Sequence, residues 1–64
     1  MKLRILHKAE PDGFKKIDRC FTKSNAYLQR RLYIKYGTIK PENIIIVETE
    51  DSEYIIGTIN TLIV

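Results

Sequence analysis

The sequence predicts an α+β domain of β-α-β-β order, with one long helix packed on a three-stranded mixed sheet. Three observations lead to this reading. Residues 2–8 alternate between apolar and polar positions, apolar residues from Phe14 to Leu32 recur at helical spacing, and two apolar runs, 44–47 and 54–64, flank a polar turn. A period of two marks a strand with one buried face, and a period near 3.6 marks a helix with one buried face.

In the first segment Leu3, Ile5 and His7 share one face, while Lys2, Arg4, Leu6 and Lys8 share the other. A face this basic suits an edge strand. Glu10-Pro11-Asp12-Gly13 breaks the pattern and places Asp12 where it can accept from the free N–H groups of a first helical turn. At about 100° per residue, Phe14, Ile17, Phe21, Leu28 and Leu32 fall within an arc of roughly 60°. The stripe keeps phase across Thr22-Lys23-Ser24-Asn25, which predicts one helix bent at this run of mediocre helix formers, with Ser24 as the alternative cap of a second helix. Gly37 supplies a left-handed C-cap, and Pro41 prevents continuation. The remainder reads as a hairpin around Glu50-Asp51-Ser52-Glu53, with Gly57 marking a bulge or a close packing contact. The first and second strands are expected to run parallel, with the third, the longest and most apolar, between them.

Sixty-four residues make a single domain, 1–64, and a domain of this size buries only roughly 60% of the surface its unfolded chain exposes. Cys20 is the only cysteine, so no disulfide forms within the chain; His7 is the only histidine, and no ligand-spaced Cys/His cluster exists. Neither a metal nor another cofactor is expected. Self-association is the remaining means of stabilisation, and strand patterning points the same way. Ile44 and Ile46 oppose Ile45 and Val47, and the last run is apolar on both parities, so both sheet faces need cover while one helix covers one. On this reading Tyr54, Ile56, Thr58, Leu62 and Val64 form a protein interface that completes a homodimer.

The net charge of +3 conceals an asymmetry. Residues 1–40 hold all eleven lysines and arginines against three acids, a balance of +8, whereas residues 41–64 hold five acids and no base, a balance of −5. Such a division points to an anionic partner for the basic part, or to mutual neutralisation within the fold. On the predicted helix Lys15, Lys16, Arg19, Lys23 and Arg30 lie between about 100° and 200°, opposite the apolar stripe, with Tyr27 and Tyr33 at the margins. Cationic strips with adjacent aromatics bind nucleic acid by neutralising phosphate and stacking on bases. Ile34 is the misfit: at about 200° it sits on this basic side, so either the helix ends before it or that side is not wholly exposed.

Nothing in the sequence provides a catalytic constellation. Cys20 and His7 are one candidate nucleophile and one candidate base without an oxyanion or substrate-positioning signature. The acids Glu48, Glu50, Asp51 and Glu53 lack the loop spacing and glycine of a calcium site. Walker and dinucleotide glycine patterns are missing, and no small-molecule substrate is evident. There is no apolar run long enough for a signal peptide or a membrane span, and the single unpaired cysteine suits a reducing, cytoplasmic setting. The expectation is a small non-enzymatic binding module of adaptor or inhibitor type, acting on a protein partner and on itself. The alternative is a dimeric nucleic-acid-binding regulator that presents the basic helix face. Compactness and an Ile- and Lys-rich composition suit a gene of a virus or another mobile element.

Overall fold

The computed structural model describes residues 5–59. The fold is α+β, with one helix and a four-stranded mixed sheet. The strands are β1 (Leu6–His7), β2 (Phe14–Cys20), β3 (Ile44–Glu48) and β4 (Tyr54–Ile59); helix α1 (Lys23–Gly37) joins β2 to β3 and is followed by a 3₁₀ turn over Pro41–Asn43. In the sheet the order is β1-β3-β4-β2, with β1 parallel to β3 and the other two neighbouring pairs antiparallel.

Two expectations are corrected here. The sheet has four strands, and Phe14–Cys20 is a strand where a helix was expected. Ile17 causes the difference, because pairing of β2 with β4 shifts register between Lys16 and Asp18 and leaves Ile17 in a bulge. A bulge inserts one residue and breaks the period of two, so Phe14, Ile17 and Phe21 acquire a helix-like spacing although they do not share a face. Phe14 lies over Gly57 on one side of the sheet, whereas Ile17 and Phe21 are exposed. A β-α-β-β unit with its last strand between two parallel ones is formed by β2, α1, β3 and β4, so β2 opens it in place of the first segment that was expected to. Chain-order β1 is an extra strand beyond β3.

Helix α1 is capped by Thr22, whose backbone is extended and whose Oγ1 accepts the Asn25 N–H at 3.2 Å. Thr22, not Asp12 or Ser24, is the N-cap. At the other end Thr38 takes the left-handed conformation, φ 53°, in place of Gly37, and its hydroxyl donates to the Gly37 carbonyl at 2.6 Å.

The core lies between α1 and one sheet face, where Cys20, Ala26, Ile44, Ile46 and Ile56 are buried together, flanked by Ile5, Leu6, Tyr33, Ile34, Ile39 and Tyr54. Each fully buried isoleucine contributes about 1.5–3 kcal/mol. The opposite parity of β3, Ile45 and Val47, is buried as well, at 1% and 3% exposure. Gly57 explains part of that second face: a Cβ there would overlap the Phe14 ring and the Lys15 carbonyl oxygen, so the ring occupies the space of the missing side chain. Gly57→Ala should therefore lower stability by about 1–3 kcal/mol, read as a lower urea midpoint with unchanged slope. An unchanged midpoint would contradict the packing of Phe14 on Gly57.

Candidate protein-docking site

Rotation of α1 about its own axis decides which of its residues are available. Ala26 and Arg30 are the buried helix residues, with Tyr33 and Ile34 partly buried beside them. Arg30 lies four residues after Ala26, and Tyr33 and Ile34 lie three and four residues after Arg30, so the four positions define the inward face. Arg30 is 9% exposed: its Nε donates to the Ile44 carbonyl at 2.9 Å and a terminal nitrogen donates to the Pro41 carbonyl at 2.7 Å. Burial pushes this guanidinium down from its ordinary value, and the neighbouring Tyr27 acts in the opposite direction. Tyr33 completes the same face by donating from its hydroxyl to Asp18 Oδ2 at 3.2 Å; burial, then this hydrogen bond, raise its pKa.

The predicted basic strip is thereby dispersed. Arg30 is a structural contact between helix and sheet, and Tyr33 faces β2 through Asp18. Lys15, Lys16 and Arg19 belong to the outer strand β2, where Arg19 lies 3.6 Å from a Glu53 carboxylate oxygen and 5.7 Å from the Phe21 ring centre. Lys23 stands at the first turn of α1, and Tyr27 is exposed. The predicted interface is relocated too. Tyr54, Ile56 and Thr58 share the parity that faces α1, where Ile56 is fully buried and Tyr54 packs against the core. Leu62 and Val64 lie outside the described residues. The face expected to be open is the one that the helix covers.

The outward side of α1 carries an apolar series beside its exposed polar residues. Leu28, Leu32 and Tyr36 are 52%, 37% and 73% exposed and recur every fourth residue. At about 100° per residue they span an arc of about 80°, and eight residues extend about 12 Å along the axis. Beside them Gln29, Leu32, Tyr33, Tyr36 and Gly37 line an open depression of about 370 Å³. Phe21, in the corner leading into α1, and Ile17, at the β2 bulge, are exposed as well, at 68% and 38%. Among the described residues, the exposed large apolar side chains all fall between Ile17 and Tyr36. A stripe that reads as core in the sequence is the exposed surface. The sequence signal for this inversion was Ile34, which joins Ala26 and Arg30 in a competing series of period four.

The remaining candidate groups are held apart from one another. Cys20 and His7 lie on β2 and β1, the two outer strands, about 14 Å apart by strand spacing alone. They also face opposite sides, since Cys20 pairs with Tyr54 on the helix side and His7 with Val47 on the other. Burial, then the nearby Asp18, push the Cys20 thiol above its ordinary value. The carboxylates of the β3–β4 turn diverge: Tyr54 donates to Glu48 at 3.5 Å, Glu53 faces Arg19, and Glu50 and Asp51 are exposed. No group of three metal-ligating side chains comes together among the described residues, and no helix there is long and apolar enough to cross a membrane. Comparison with known protein families, curated proteins and solved structures finds no match.

Two measurements check this assignment. Arg30→Met should cost about 2–4 kcal/mol of unfolding free energy, because two backbone carbonyls lose charged donors, whereas Arg31→Met should stay within about 0.5 kcal/mol. Equal effects would place Arg30 at the surface. The Cys20 thiol should react with an aromatic disulfide reagent at pH 8 at least about 100-fold more slowly in the native protein than in urea, since attack requires local opening. A native rate close to that in urea would show the thiol to be accessible.

Proposed function

We propose that this chain is a small non-enzymatic binding module of adaptor or inhibitor type that docks a protein partner through the outward face of α1. The observation that carries the reading is the exposed series Leu28, Leu32 and Tyr36 beside an apolar depression. Contiguous apolar surface on a small domain marks an interaction site, whereas scattered apolar side chains do not. Helical docking uses anchors spaced in this way, and a tyrosine at the rim of a pocket supplies a large contact with few rotors to immobilise. A buried, unpaired cysteine suits work in a reducing intracellular compartment.

The sheet offers less for this purpose. Its helix-facing parity forms the core, and Ile45 and Val47 on the other parity are already buried. The exposed strand β2 carries Lys15, Lys16 and Arg19 together with a bulge, features that discourage strand addition at an edge.

In extracts of the native host, a tagged protein should capture a partner that the Leu28→Asp/Leu32→Asp variant loses by about tenfold or more. The variant should stay folded, within about 1 kcal/mol of the parent, because both positions are exposed. Partner capture that survives this double change would overturn the reading. So would a bound nucleic acid that is released by Lys15→Glu/Lys16→Glu and dissociates steeply as salt rises.

A further inference from the structure

The partner's chemistry is readable from what borders the apolar stripe. Measured from Leu28, Leu32 and Tyr36 extend to about +80°, while Lys35 and Arg31 lie at about −20° and −60°. The Lys35 ammonium rests 5.4 Å from the Tyr36 ring centre, at the border of the stripe. On the opposite flank, at about +100°, stands the neutral Gln29, and beyond it the depression beside Tyr33. Helix α1 carries no aspartate or glutamate, so no neighbour on the helix neutralises these exposed cations.

From this arrangement we infer that the docked segment is an amphipathic helix of another protein with an acidic edge, its apolar side on Leu28, Leu32 and Tyr36 and its carboxylates along Arg31 and Lys35. This rests on the docking reading above. A helical occupant follows from shape: a convex stripe of period four packs against the grooves of another helix, whereas an extended strand needs a free sheet edge.

A second copy of this chain does not supply the required charges. In an antiparallel two-fold pair over this stripe, like flanks meet, and Arg31 and Lys35 would confront their own copies. In a parallel pair they would meet the other flank of the stripe, Gln29 and Tyr36, which carries no carboxylate. The chain's own exposed acids, Glu10, Asp12, Glu42, Glu50 and Asp51, lie in the β1–β2 loop, the 3₁₀ turn and the β3–β4 turn, and none stands on a helix that carries an apolar stripe. No such segment can fill the stripe as a helix with an acidic edge.

The test uses two designed peptides of about 20 residues that share one leucine stripe, one edged with glutamates and the other with lysines. Fluorescence anisotropy at low salt should show the glutamate-edged peptide binding about tenfold more tightly, with the gap narrowing as salt rises. Arg31→Glu/Lys35→Glu should reverse the preference, and Leu28→Asp/Leu32→Asp should remove binding of both peptides. Equal affinities that still depend on Leu28 and Leu32 would overturn the acidic partner and leave the docking reading standing. A preference for glutamate that ignores the Arg31/Lys35 reversal also overturns it, as does failure of both peptides to bind. Peptide binding that ignores Leu28→Asp/Leu32→Asp would remove the docking reading as well.

Discussion

The guanidinium of Arg30 fixes the relation between helix and sheet. It reaches from the middle of α1 to the carbonyls of Pro41 and Ile44, at the point where the chain turns into β3. Buried carbonyls need donors, and a charged donor in a fixed fork meets that need with directional bonds. Ala26, one turn earlier, is small enough to let the backbone approach, and Tyr33 ties the other flank to Asp18 on β2. Three contacts on one helical face leave little freedom of rotation. The outward series Leu28, Leu32 and Tyr36 is their geometric consequence.

A domain this small has few apolar residues to spare, which gives their placement meaning. Leu28 and Leu32 turned inward would add to the core, yet the inward positions of the helix hold Arg30 and Tyr33, and the leucines face water. Solvent-facing leucines cost hydrophobic stabilisation that an arginine recovers only through well-made hydrogen bonds. An arrangement that forgoes core burial on one helix face is the pattern expected where that face is buried elsewhere, against a partner.

Much of the architecture is legible in the residues. Ile44–Val47 and the Tyr54 run read as strands because β-branched residues cluster there, and the hairpin turn follows from Glu50-Asp51-Ser52-Glu53. Gly57 signals a close approach, which the Phe14 ring supplies. Two physical effects hide the rest. The bulge at Ile17 converts a strand's period of two into an imitation of helical spacing, so Phe14–Cys20 joins the helix on paper. Arginine is ambiguous by nature: its long apolar stem and charged head serve equally on a surface or beneath a helix, and hydropathy alone assigns Arg30 outward. With that one residue misplaced, the wheel rotates by about half a turn. Leu28 and Leu32 then become core. Ile34 is the residue that resists this rotation, and it packs inward.

The charge asymmetry acquires a different meaning in three dimensions. No carboxylate of the acidic C-terminal half pairs with a helix side chain among the described residues: Glu48 and Glu53 turn toward Tyr54 and Arg19, Glu42 is exposed in the 3₁₀ turn, and Glu50 and Asp51 are exposed at the hairpin tip. On the sheet, Arg19 is drawn to Glu53 and to the Phe21 ring, so part of the basic half is balanced at the β2 edge. Arg31 and Lys35 remain beside the apolar stripe, where exposed charge contributes little to folding stability. Such rim charges act instead on encounter rate and on the choice between partners, by attracting one sign and repelling the other. On the proposed docking reading, the apolar anchors would set how tightly a partner is held, and the cations along one flank would set which partner is admitted.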